Sequence, residues 1–148
     1  MPVNPLTNHG SLNRVRGSII VPLFPILNIT SPYMGKNLLS VNFEGNFDEQ
    51  VETATGVVTS PEPYVMATVT ADLLRTQGLA TAWLAQGQLI SDIGPITVFS
   101  DSSSFEPIVI TNTVIRSVEP GVFDGMNPIV KLTLRGVFIV NALLWASA

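Results

Sequence analysis

A mainly β fold, a β-barrel or sandwich of six to seven strands flanked by one α-helix, is what this sequence predicts. Three observations carry that expectation. Several segments alternate apolar and polar residues with the period of two that suits a half-buried strand. A single stretch switches to helical spacing. Gly, Pro, Asn and Asp clusters separate the segments.

Taken in order, residues 1–13 are polar and turn-rich and read as an N-terminal arm. From Arg14 to Val21, Val15, Ile19 and Val21 point one way and Arg14, Arg16 and Ser18 the other, a strand pattern. Pro22 and Pro25 keep the following stretch off any central strand position, because proline cannot donate to a ladder. Thr30 to Lys36 reads as a loop. Leu39, Val41 and Phe43 alternate with Ser40, Asn42 and Glu44 in a second strand. Residues 44–53 are acidic, contain no basic residue and have little periodicity, so they read as a long hairpin loop. A strand around Gly56 to Thr59, the Pro61-Glu62-Pro63 turn, and the β-branched strand Tyr64 to Ala71 follow.

After Asp72 the pattern changes. Leu79, Trp83, Gln86 and Ile90 recur at helical spacing within Leu74 to Ile90, with Thr76 as a candidate cap and Gly78 and Gly87 weakening the helix. Three strands complete the chain: Ile96 to Ser100, Ile108 to Val118 and Ile129 to Asn141. The apolar phase of the second slips near Asn112, which predicts a bend or bulge. On the third, Val130, Leu132, Leu134, Phe138 and Val140 share a face. The opposite face begins polar with Lys131, Thr133 and Arg135, then turns apolar with Val137 and Ile139, as if a partner covered half of it. Turns are expected at Asp92-Ile93-Gly94-Pro95, Asp101 to Pro107 and Pro120 to Pro128. With no repeat and no linker, residues 1–148 read as a single domain.

Composition narrows the function. The chain has no cysteine and one histidine, His9, which closes most routes to thiolate metal sites and histidine chemistry. Only 12% of residues are charged while mean hydropathy is +0.40. No apolar run approaches the roughly 20 residues of a spanning helix. Such a chain is expected to bury much of its surface against other protein. Formal net charge is −4 with a pI near 4.7 and no basic patch, so sequence-specific nucleic-acid binding is not expected. The N-terminus reads as lacking a signal peptide.

Catalytic motifs are not evident: there is no nucleophile elbow, phosphate loop or zinc-protease helix. Asp101 to Glu106 could be offered as a cation loop, but reads better as a solvated turn. Asp48, Glu49 and Glu52 read as an exposed acidic segment, His9 as solvated, and Trp83 as core. The chain is expected not to be an enzyme and to need no cofactor or metal.

Four segments follow one another in a telling order: Tyr64 to Gln77, a strand running into a helix; Ile96 to Ser100 after a Gly-Pro turn; Ile108 to Gly121; and Val130 to Gly136 with its apolar tail. Together they resemble bacteriophage tail tube proteins of contractile-tailed phages, a fold shared with pyocin and type VI secretion inner tubes. The resemblance covers roughly residues 38–145 and lies in element order and length. It implies homohexameric rings stacked into a hollow tube, a conduit through which DNA enters the host without specific binding. It also implies partners in a tail sheath and baseplate, no membrane insertion, and a place in the virion tail after assembly in the bacterial cytoplasm. A tube initiator or terminator, or the inner tube of a secretion or pyocin-like machine, is an alternative within the same fold. A small β-barrel binding protein is an alternative outside it.

Two groups of residues are then assigned to assembly. The resemblance suggests that the acidic segment contacts the next ring, through Phe47 and Val51 as apolar anchors and Glu44, Asp48, Glu49 and Glu52 as charges. The apolar closing stretch, Val137, Phe138, Ile139, Val140, Leu143 and Leu144, is expected at a subunit interface.

Overall fold

The computed structural model describes residues 9–12, 16–102, 104–121, 123 and 125–145. The expected arm therefore lies largely outside the described residues, as do Arg14 and Val15 of the first expected strand. Among the described residues eight strands form: β1 (Ser18–Ile20), β2 (Met34–Glu44), β3 (Asp48–Glu52), β4 (Val57–Pro61), β5 (Tyr64–Leu74), β6 (Asp92–Phe99), β7 (Ile108–Glu119) and β8 (Ile129–Ile139). One full helix, α1 (Leu79–Leu89), and a short one, α2 (Ala142–Trp145), accompany them. Six strands make one antiparallel sheet in the order β1-β6-β7-β8-β5-β2, while β3 and β4 make a separate two-stranded ribbon. The large sheet curls without closing. The mainly β, helix-flanked expectation is met.

Alternation decides which side is the core. Along β5, Val65, Ala67, Val69, Ala71 and Leu73 are buried and their neighbours are not. Val130, Leu132 and Leu134 do the same on β8, in register with Leu73, Ala71 and Val69. Helix α1 lies over this face against β5, β7 and the tight turn Pro25–Leu27. It inserts Trp83, which is fully buried, beside Leu79 and Ala80. The segment after β1 closes the rest with Val21, Leu27 and Ile29. Ile19 and Ile29 exchange both backbone hydrogen bonds, at 2.9 and 2.8 Å, so this proline-bearing stretch folds back on β1.

Several boundaries differ from expectation, each for a local reason. Met34 is buried and pairs with Leu73, so β2 starts inside the expected Thr30–Lys36 loop. Strand β5 continues to Leu74 because Leu73 fills the core, so α1 begins after Gly78 and Thr76 caps nothing. The expected turn at residues 92–95 is instead the start of β6, absorbed as two register shifts around Gly94, whose φ is +74°. The acidic stretch is not a loop: Asp48–Glu52 is strand β3, paired residue for residue with β4. Both of its faces are exposed, so no apolar alternation marked it.

The bend expected near Asn112 is present. The β7–β8 register shifts between Thr111 and Val114, and Asn112 has a φ of +49°. Gly136 is the reason the bulge can cross β8. A Cβ there would collide with Ile110 Cγ2 and stand 3.0 Å from the Thr111 carbonyl oxygen. Buried Thr113 returns its hydroxyl to the Ile110 carbonyl at 3.3 Å, so the bulge leaves no orphaned polar side chain there.

Replacing Trp83 with Ala removes the largest buried side chain from beneath the helix. Urea denaturation followed by far-UV circular dichroism should show a loss of about 3–5 kcal/mol. A loss below about 1 kcal/mol would mean that the helix contributes little to the core.

Candidate functional site

The β3–β4 ribbon stands out from the body: every residue from 42 through 60 is exposed. An isolated two-stranded ribbon is marginal in water, so what roots it matters. Three kinds of contact do so, all at the end of the sheet where β2 and β8 finish and β5 begins.

The first is aromatic. Phe47, leading into β3, meets Phe43 of β2 edge-on at 5.8 Å and Phe138 of β8 at 6.2 Å, while Phe43 and Phe138 lie 4.6 Å apart. These are distances at which aromatic pairs add to their area burial. The second is a polar clamp. Asn141 adopts the left-handed conformation, φ +54°, which asparagine tolerates better than most residues. From there its Nδ2 donates to the carbonyls of Phe47 at 2.9 Å and Glu62 at 2.8 Å, one at each foot of the ribbon. The Glu62 N–H also donates to Phe47 O at 3.0 Å, and Val140 N–H to Pro63 O at 3.3 Å.

The third is ionic. Arg135 of β8 donates to Glu44 Oε2 through Nη2 at 2.7 Å and Nε at 3.1 Å, and Thr68 Oγ1 donates to Glu44 Oε1 at 2.8 Å. The Arg135 hydrogen bonds first, and Thr68 second, hold the Glu44 carboxyl below the usual range, and Glu44 in turn raises Arg135. A lowered folded-state pKa makes the contribution of Glu44 complete above its unfolded pKa. It is lost as pH falls through the folded value.

Beyond the root, the ribbon exposes Asp48, Glu49 and Glu52 together with Val51, Val57 and Val58, each valine 56% exposed. Val51 sits directly opposite Val58, giving one apolar cross-strand pair at mid-ribbon. The turn closes through Thr53, whose N–H and hydroxyl both donate to the Gly56 carbonyl, at 2.8 and 2.9 Å. No lysine, arginine or histidine occurs from residue 37 through 74.

The two groups of residues singled out from sequence therefore meet at one place. Glu44 and Phe47 touch Arg135 and Phe138, and the closing stretch carries the clamp residue itself. Within that stretch Val137 and Phe138 are half-buried and Val140 is buried, whereas Ile139 and Leu144 are exposed and Leu143 is 96% exposed. Leu143 and Leu144 lie on α2 rather than on the strand. Sequence reasoning missed Asn141, Arg135 and Phe43 as root residues. The signal for Asn141 was present as the polar interruption of an apolar run.

A second feature is the open seam of the sheet. Strand β2 is an edge of eleven residues, and at the other border β1 covers only Thr97–Phe99 of β6. Between the two borders lies a cleft of about 410 Å3 walled by Leu39, Val41, Val98, Phe99, Phe105 and Ile108. No helix among the described residues is long and apolar enough to cross a membrane.

No protein-family model matches the sequence, and no curated protein matches it. Among solved structures, the chain is similar to a cryo-electron microscopy structure of the anti-feeding prophage cap, a tube-terminating cap, at 13% identity and a TM-score of 0.48, over 93% of each chain.

If Asn141 is the clamp, Asn141→Gly, which keeps the left-handed backbone, should still release the ribbon. Hydrogen exchange should then accelerate about five- to fifteenfold at the β3–β4 ladder amides, as expected for one or two lost hydrogen bonds. Core amides of β5 and β8 should hold. Unchanged ribbon protection would assign the rooting to the aromatic stack alone.

Proposed function

We propose that this chain is a structural subunit of a hollow protein tube, assembling into rings that stack into a conduit for DNA in a phage tail or related contractile particle. The observation that carries the reading is an open antiparallel sheet whose long edge strand β2 is paired on one side only among the described residues and, at one end, a rooted, exposed ribbon. A strand edge of this length invites pairing with another chain and is an aggregation hazard unless a partner takes it. Pairing β2 of one copy with the short-stranded border of the next continues the sheet from subunit to subunit. A heterologous contact of this kind closes into a ring where the rotation allows. Hexameric closure comes from the family resemblance.

The sheet face turned from the core suits a lumen. It presents Ser40, Asn42, Thr68, Thr70, Thr133 and Ser117. Of its basic groups, Arg135 is ion-paired with Glu44, Arg116 lies near the same carboxylate, and Lys131 stands in register opposite Asp72 and Glu119. A conduit lined this way offers passing phosphates hydroxyls and charges of both signs rather than a basic trap. Structural rather than enzymatic work also fits the low charge. The low charge fits burial against sister subunits, and a sheath and baseplate are the remaining partners of the reading.

Negative-stain electron microscopy of the purified protein separates the positions within such a particle. Tubes support a tube subunit, rings that never stack support a terminal position, and a monomer at all concentrations overturns the reading. Ile139→Asp places a carboxylate on an exposed side chain, 53% accessible in the single chain. It should leave the circular dichroism spectrum unchanged and abolish assembly, because drying an unpaired carboxylate costs several kcal/mol. Normal tubes from this variant would remove Ile139 from the interface. Replacing residues 48–61 by a Gly-Asn turn should leave the subunit folded and permit rings but not stacks. Full-length tubes from it would move stacking elsewhere.

A further inference from the structure

The apolar cleft at the seam of the sheet does not stand alone. Its walls include Leu39 and Val41 of β2, Val98 of β6 and Ile108 of β7. Val98 is buried, and the other three are half-buried and pack against the core, so the cleft is core surface left without a cover. A polar notch of about 360 Å3 opens beside it and shares Arg16, Gly17, Phe99, Ser100 and Phe105 with it. The notch adds Ser18, Thr30, Ser31 and Ser102, and no carboxylate among the described residues lines it.

Local structure builds the notch. Ile19 and Ile29 exchange backbone hydrogen bonds, which sets Ser18 beside Thr30 and Ser31. Ser18 also stands opposite Phe99 in register, which brings in the turn at the end of β6. In that turn the Ser102 N–H donates to Ser100 Oγ at 3.1 Å, and the Ser100 hydroxyl donates to Asp101 Oδ1 at 3.2 Å. Asp101 and Glu106 line the cleft and not the notch. Arg16 is exposed and has no ion-pair partner among the described residues. A guanidinium ringed by hydroxyls is suited to a carboxylate or phosphate, which it meets with charge-assisted hydrogen bonds. An apolar cleft of this size with a few polar groups at one side is suited to a small ligand.

We infer that cleft and notch together form a binding site for a single-chain anionic amphiphile, with the aliphatic tail between β2 and β6 and the anionic head on Arg16 and the hydroxyls. A partner strand carries its apolar and charged groups on separate side chains. An amphiphile has tail and head in line, as cleft and notch are. The site goes beyond the tube reading and does not rest on it: it uses side chains of β2, where tube assembly uses the backbone edge. A bound tail would cover apolar surface that the lone subunit leaves open.

Calorimetric titration with dodecanoate, below its micelle-forming concentration and on protein too dilute to assemble, tests the site. Saturable binding of one dodecanoate per chain is expected. Each methylene added from octanoate to dodecanoate should tighten it by up to about fourfold, as a tail entering an apolar site requires. Dodecyltrimethylammonium, with the same tail and the opposite charge, should not bind. Arg16→Gln should weaken dodecanoate about fivefold, the upper scale of an exposed ion pair, and leave 1-decanol unchanged. Gly17→Leu should abolish both, because a Cβ at Gly17 already stands 3.7 Å from Leu39 Cδ2 and the longer side chain fills the cleft. Binding of many molecules per chain, equal affinity for both head charges, or no gain with tail length would each overturn the site. So would the absence of any binding, which would leave the cleft to a protein partner.

Discussion

An antiparallel sheet that curls but does not close has two borders of backbone N–H and C=O groups, and the rest of this molecule is arranged around that fact. A closed barrel would satisfy both borders internally. Here β2 is long and β1 is three residues, so the borders are unequal, and the cleft between them is walled mostly by apolar side chains, with Arg16, Asp101 and Glu106 also lining it. Helix α1 and the segment containing Leu27 and Ile29 fill the concave side of the sheet with the core. Among the described residues the two borders stay apart, and the low charge of the chain is consistent with meeting that opening with protein.

The same logic explains how much could be read from sequence. Strands β5 and β8 were legible because one face is buried and the other is not, so Val65 to Leu73 and Val130 to Leu134 wrote the period of two into the chain. The bulge near Asn112 was legible because a phase slip in an otherwise regular strand has few other causes. Strand β3 was not legible. Both its faces meet solvent, so nothing selects an apolar alternation, and Glu49, Gln50 and Glu52 read as loop chemistry. The start of β6 was hidden for a different reason: Gly94 and Pro95 are turn residues that here serve a bulged strand entry.

Of the candidate site, the acidic and apolar members were visible as composition, but their convergence was not. Residues 44–47 and 135–141 come together only through the β2–β5–β8 register, which pairs Glu44 with Met66 and Met66 with Val137. Register is a tertiary property: a slip by one residue would send Phe43 and Phe138 to opposite faces and dissolve the root. Asn141 is the least readable of these residues, because its role depends on a left-handed backbone that only the end of β8 imposes.

The way the ribbon is held has an evolutionary consequence. Asn141 grips main-chain carbonyls, Phe47 packs on Phe43 and Phe138 at the surface, and no side chain of the ribbon belongs to the core. The fold therefore places almost no demand on the identity of residues 48–61, only on their length and pairing. Such a segment can drift or be exchanged between lineages without a folding penalty, whereas the core-facing positions of β5 and β8 cannot. Selection on those fourteen or so positions is then left to whatever they touch.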